Sequence, residues 1–280
     1  MLYYCISNCP RRLLVESMNL HSYFKIIQMI GGRYLFFAGT AFLLAYWIFN
    51  RTIGPKKIQQ KYPKWNDYAR EVLYSLLTIG LFALVPLFLI KNDSIRVHTR
   101  WYTDIQQHGW VYFIGAFPLM LVLHDTYFYW MHRLMHHPRL FKVFHLVHHR
   151  STNPSPWAAY AFHPLEAIVE VGILALFLFT IPIHKLHLTV FFLFMIVYNV
   201  YGHLGWELYP RGFNRHWLGK WINTSVNHNQ HHQFFNGNYG LYFLFWDRMM
   251  GTLREDYDLQ FDRATAGNAS QSPSLQQPLS

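Results

Sequence analysis

Residues 127–149 read Tyr127-Phe-Tyr-Trp-Met131-His132-Arg-Leu-Met-His136-His137-Pro138-Arg-Leu-Phe-Lys-Val-Phe-His145-Leu-Val-His148-His149, an apolar run that passes without a break into two histidine boxes. A third box, His228-Asn-Gln-His231-His232, follows later in the chain. The first has the form H-x3-HH and the other two H-x2-HH. On a helix, residues three and four apart share a face, so each spacing aims several imidazoles one way. His124 lies two turns before His132 on the same face and is read as a further ligand. Histidine is the commonest metal ligand. One mononuclear zinc site takes about three or four ligands. Nine boxed histidines therefore point to two metal ions held together. Imidazole suits zinc, copper, iron and nickel alike, so ligand type leaves the metal open.

An isolated histidine is more often a surface or core residue, and only the matched spacing raises these nine above that. His203, in Gly202-His203-Leu-Gly-Trp-Glu207, is read as an additional ligand. His163, in Ala161-Phe-His163-Pro164, is either a ligand or a helix cap. His21, His98, His108, His184, His187 and His216 lack the spacing and are read as bystanders. A ligating histidine usually donates its second ring N–H to a carboxylate or carbonyl. Asp125, Glu166 and Glu207 are the nearby acids, and Asp125 and Glu207 are assigned that orienting role. Asn227 and Asn236 can ligate or orient. Asp247 and Arg248 are read as an ion pair.

The composition sets these boxes in a membrane protein. The 280 residues are 52% hydrophobic, 19% aromatic and 14% charged, against about 25% charged in a soluble domain. Apolar runs cover 34–50, 72–90, 110–131, 165–183 and 188–202. About 20 apolar residues cross a bilayer upright. The last two runs are short and close together, so they form thin spans or a paired hairpin. Arg51, Lys56, Lys57, Lys61, Lys64 and Arg70 lie between the first two runs, but only Lys91, Arg96 and Arg100 between the next two. The excess of basic residues places the first loop in the cytosol, and counting onward puts all three boxes on that face. The net charge of +10 has no nucleic-acid motif beside it and fits anionic lipid headgroups.

The expected fold is therefore all-α and integral to the membrane, with about four transmembrane helices and a cytosolic, histidine-rich helical cap. Residues 1–33 form an N-terminal segment, with Ser22–Ile30 an interfacial helix. Residues 34–131 supply transmembrane helices and a cytosolic loop. Residues 132–255 are the histidine-box region and include the membrane hairpin 165–202. Residues 264–280, rich in Ser, Gln, Pro and Ala, are read as disordered. Cys5 and Cys9 match neither a disulfide framework nor a zinc ribbon. Residues 1–17 lack the apolar core of a signal peptide.

The three boxes, with Ala158-Ala-Tyr-Ala-Phe-His163-Pro164 after the second and Asn236-Gly-Asn-Tyr-Gly240 and Trp246-Asp-Arg-Met-Met-Gly-Thr252 after the third, resemble the sterol desaturase and fatty acid hydroxylase superfamily, C-5 sterol desaturases in particular. The likeness covers roughly 120–255. It implies a four-helix membrane stem, a cytosolic cap and two iron ions ligated by His132, His136, His137, His145, His148, His149, His228, His231 and His232, with His203 as a further ligand. It implies O2 as co-substrate and two electrons from an external donor, such as cytochrome b5 or ferredoxin with its reductase. The chain holds no His-Pro-Gly-Gly haem motif. The cytoplasmic membrane and the endoplasmic reticulum are the two locations this fits.

The expected function is oxygen-dependent desaturation or hydroxylation of a lipid C–H bond, with a sterol as the leading substrate. The alternatives are sphingolipid, fatty acyl or carotenoid hydroxylation, and a metal-binding membrane transporter. Against the transporter, the boxes lie outside the apolar runs, which hold few acids.

Overall fold

The computed structural model describes residues 20–266; the readings for Cys5, Cys9, residues 1–17 and residues 267–280 fall outside that range. Helix α1 (Leu20–Phe42) continues through one wider turn, Leu43–Ile48. Helices α2 (Trp65–Leu89) and α3 (Gly109–Met135) follow. The short helix α4 (Pro138–Phe144) follows, flanked by His137 and His145, and α5 (Leu146–His149) carries His148 and His149. Helices α6 (Pro164–Thr180) and α7 (Lys185–Gly202) follow, joined by the short link 181–184. Helices α8 (Ser225–Phe234), α9 (Phe245–Met249) and α10 (Tyr257–Ala266) are the last among the described residues.

Four helical stretches are long and apolar enough to cross a membrane: Leu20–Ile48, α2, α3 and α7. Helix α6, with 17 residues, spans only about 25 Å at 1.5 Å per residue, short of the bilayer's apolar core. The outer faces of these helices are apolar and bare. Val111 and Ile114 of α3 are 90% and 68% exposed, which only a lipid surround accommodates over so large an area. The inner faces pack in two clusters. One joins Tyr34, Ile79, Phe82, Tyr160 and Val200, and the other joins Met120, Leu174, Phe177 and Phe191.

Three expectations give way. Residues 22–30 are not a separate interfacial helix. Ile27 and Ile30 pack on the core, and Tyr23 Oη donates to the Gly80 carbonyl at 3.1 Å, so α1 runs straight from Leu20 into the first span. Ala264 does not begin a disordered tail, because it is buried and α10 extends to Ala266. Asp247 does not pair with Arg248. Its carboxylate accepts from Tyr239 N, Gly240 N and Thr252 Oγ1 at 2.8, 2.8 and 2.7 Å, while Arg248 Nε donates to the Lys220 carbonyl.

The two ends of the bundle differ. At one end β1 (Trp101–Tyr102) pairs in parallel with β2 (Ile183–His184). There His184 Nε2 donates to the Thr103 carbonyl and His187 Nε2 to the Phe113 carbonyl, which accounts for two of the unboxed histidines. At the other end the loop after α1, the segment 136–163 and residues 203–266 come together. Ile58 N donates to the Gly205 carbonyl at 3.0 Å, and Gln59 Nε2 reaches both Thr152 O and Asn229 Oδ1. All three boxes lie at this end.

Candidate metal centre

Nine imidazoles converge in two groups. His132, His136, His145, His149 and His231 form one; His148, His203, His228 and His232 form the other. Within each, one ring nitrogen per residue lies within 4.8 Å of all the rest. Helix α8 supplies both groups. Thr224 caps it, its Oγ1 accepting from Asn227 N. Every residue from Ser225 to His232 is buried. A buried polar helix is costly unless its side chains find partners, and here the rings meet those of His132, His149 and His203 while Asn229 and Gln230 bond Gln59 and Asn238.

Five rings have Nδ1 fixed by an oxygen. His132 Nδ1 donates to the Tyr239 carbonyl at 2.9 Å, His231 to Gly237 at 2.7 Å, His203 to Asn199 at 2.8 Å and His232 to Ser151 at 3.0 Å. His145 Nδ1 bonds Glu166 Oε1 at 2.6 Å. A carbonyl only accepts, so Nδ1 carries the ring proton and Nε2 of the neutral ring is a bare lone pair. Yet His132 Nε2 and His145 Nε2 stand 3.0 Å apart, and His203 Nε2 and His232 Nε2 3.2 Å apart. Two lone pairs so close repel unless a cation lies between them. Ring nitrogens that each bind one metal ion at about 2.1 Å, with about 90–110° between them, are about 3.0–3.4 Å apart, and these rings match. Gly237 presents its carbonyl to His231 from a left-handed turn (φ +80°), where a Cβ would come within 2.7 Å of the Thr252 carbonyl.

Protonation does not relieve the repulsion. Burial pushes the pKa of His203 down to about 4 and that of His136 to about 2, and neighbouring rings add to the effect at His136. Burial first, then the other imidazoles, holds His145, His148, His149, His228, His231 and His232 well below the usual histidine range. Near neutrality these rings are uncharged ligands. The His136 Nε2 atom is buried without a hydrogen-bond partner, as a metal ligand's donor atom would be.

The structure departs from the sequence reading at four residues. His137 belongs to neither group. Pro138 follows it, and the residue before proline is pushed to extended backbone. His137 has ψ 135°, stands exposed and caps α4 through Arg139 N. His163 repeats this pattern before Pro164, its Nδ1 accepting from Leu165 N, so the cap reading holds there. His124 is buried but apart from both groups, its Nδ1 3.0 Å from Tyr242 Oη. Asp125 and Glu207 orient no histidine. Asp125 Oδ1 accepts from Tyr242 N and Phe243 N, and Glu207 accepts from Tyr201 Oη, Tyr209 N and Val226 N. Both shape the loops around the site, and the acid that touches a boxed ring is Glu166. Asn227 is fully buried with neither amide atom bonded, and Asn236 Oδ1 accepts weakly from Tyr239 Oη.

A partly open cavity of about 150 Å³ lies among α1, α2, α3, α6 and α7. Its walls are mostly apolar, with His124 among them. Two of its lining rings touch the imidazoles. Phe128 lies 4.9 Å from His132, ring centre to ring centre, and Phe162 lies 5.1 Å from His148. One end of the cavity thus adjoins both histidine groups.

Residues 117–252 match the family model for fatty acid hydroxylases. A Delta(7)-sterol 5(6)-desaturase of Gibberella zeae is 32% identical over 236 residues, covering 82% of this chain and 68% of that protein. Rat lathosterol oxidase is 29% identical over 229 residues, 80% of this chain and 72% of its own. A Delta(7)-sterol 5(6)-desaturase of Aspergillus fumigatus is 29% identical over 245 residues, 79% and 71% of the two chains. No solved structure matches the chain.

Proposed function

The chain belongs to the sterol desaturase and fatty acid hydroxylase superfamily, and from that premise we propose that it introduces the 5(6) double bond into a Delta(7)-sterol, with two iron ions, O2 and electrons from an external carrier. The observation that carries this reading is the convergence of bare Nε2 lone pairs beside one end of an apolar cavity. The donor set fits metal, and one ion in each group uses all nine rings. Bound iron supplies the activation of O2 that an unactivated C–H bond requires. Removing two hydrogens from the sterol while O2 is reduced to two waters takes two further electrons and two protons, hence the external carrier, such as cytochrome b5 or ferredoxin with its reductase.

The protein's own residues then have defined tasks. The carbonyls of Tyr239, Gly237, Asn199 and Ser151 and the Glu166 carboxylate fix the ring tautomers and leave Nε2 for metal. Phe128 and Phe162 place an apolar substrate against the rings and exclude water. The basic residues Arg51, Lys56, Lys61 and Lys64 fall in or beside the loop that meets the histidine end, and their excess supports a cytosolic side for that end. The family model's name favours a second reading, hydroxylation of an acyl chain at the same centre.

The test is expression in cells lacking their own Delta(7)-sterol 5(6)-desaturase, with sterols analysed for the conjugated 5,7-diene. The wild type should form it. His148→Ala and His231→Ala should each abolish it while the protein stays in the membrane. Full activity in both variants would contradict the ligand assignment, and a hydroxylated acyl product without diene would select the second reading.

A further inference from the structure

Among the described residues Glu170 is the one acid lining the cavity. It sits on α6 among Ile168, Val169, Val171 and Ile173, in the apolar part of the bundle. Among the described residues its carboxyl group makes no hydrogen bond and no ion pair. Arg33 of α1 lines the same cavity but forms no ion pair with Glu170, and two other polar liners are engaged elsewhere. Asn199 Nδ2 donates to the Ala159 carbonyl and Thr189 Oγ1 to the Lys185 carbonyl. Glu166, one turn earlier, is committed to His145. An acid within an apolar cavity costs several kcal/mol unless something pairs with it, and ionisable groups inside membrane segments generally mark a functional contact. The cavity is where that partner must come from.

The geometry points to Glu170 as a specificity-determining residue that hydrogen-bonds the alcohol group of the bound lipid. An alcohol suits the position whichever way the carboxyl is protonated. It donates to the ionised form and accepts from the neutral form, whereas an ester carbonyl only accepts and a hydrocarbon does neither. Glu170 follows Glu166 by four residues, so it lies about 6 Å further along the same helical face. The acid that anchors the alcohol is thus one turn from the acid that holds His145. A lipid anchored there presents carbons close to its hydroxyl, rather than the far end of its tail, to the histidine groups. Discrimination of this kind is steep because a substrate lacking the group leaves a buried acid unpaired.

This inference rests on the proposed lipid chemistry, and the experiment separates the two. Binding of lathosterol and of its 3-O-methyl ether to detergent-purified full-length protein is measured by radioligand competition, and turnover of each is measured in reconstituted membranes. The wild type should prefer the free alcohol by about tenfold to a hundredfold, the range of one hydrogen bond to a charged or buried group. Glu170→Leu should bring that ratio close to one, acting on KM more than on kcat. Glu170→Gln, which keeps a donor and an acceptor, should restore most of the preference. Gel filtration and iron content serve as folding controls, and if Glu170→Leu fails them, Glu170→Gln against Glu170→Met decides. Sterol binding with the preference unchanged in the Leu or Met variant would overturn the role of Glu170 alone. A wild type that neither binds nor converts any sterol would overturn the proposed function and this role with it.

Discussion

Replacing Glu166 with glutamine should loosen one metal ion and leave the other. The Glu166 carboxylate meets His145 Nδ1 at 2.6 Å, with both side chains almost wholly buried. Its second oxygen has no partner, so the bond to His145 is its main attachment. Glutamine keeps the shape but replaces the carboxyl group with an amide and places an N–H₂ where nothing accepts it. Loss of such an orienting carboxylate typically lowers metal affinity about 10–100-fold, or about 1.4–2.7 kcal/mol. His145 belongs to the five-ring group, and Glu166 bonds none of the four rings of the other. The assay is iron retained per chain against increasing chelator. In Glu166→Gln one iron should leave at about 10–100-fold weaker chelation and the second at the wild-type point. Two irons shifting together, or neither shifting, would refute the reasoning that Glu166 acts through His145 alone.

Three further outcomes follow from the same geometry. His137→Ala should keep both irons and full turnover, and lose at most about 1 kcal/mol of stability through the helix cap it provides, as read by metal analysis and thermal inactivation. Asp125→Ala should destabilise the protein by about 1–3 kcal/mol, because Tyr242 N and Phe243 N lose their shared acceptor; thermal inactivation should move earlier while iron content at low temperature holds. Metal-free protein should lose stability as pH falls from about 6.5. His203, at about 4 when folded, stays neutral below that point while the unfolded chain takes up protons, so the unfolded state binds more of them and acid favours it. Buried His148, His228 and His232 shift in the same direction. Denaturant midpoints flat between pH 7 and 5 would contradict this.

The sequence disclosed most of the architecture because two of its signals are local. Apolar runs of near-bilayer length marked the spans, and helical spacing marked the rings that share a face. Eight of the nine boxed histidines reach the centre, and His203 joins them. His137 misled because box spacing outweighed a plainer signal, the proline after it; His163-Pro164 behaves the same way. The division into a group of five and a group of four was beyond reach. Box two sends His145 and His149 one way and His148 the other, and box three divides likewise, which depends on how three separate helices cross. Glu166 was visible as an acid near a box, but its choice over Asp125 and Glu207 required the start of α6 to pack beside α5. Helix α1 begins before the apolar run at 34–50, because Ile27 and Ile30 already pack against the bundle.

The most direct measurement is iron per chain, by elemental mass spectrometry, in purified wild type, His203→Ala and His137→Ala. Two groups of ring nitrogens predict two irons in the wild type. His203 Nε2 lies 3.0, 3.2 and 3.3 Å from its three neighbours, so its loss should leave one iron, and His137→Ala should leave two. A single iron in the wild type, or two retained without His203, would contradict the paired centre described here.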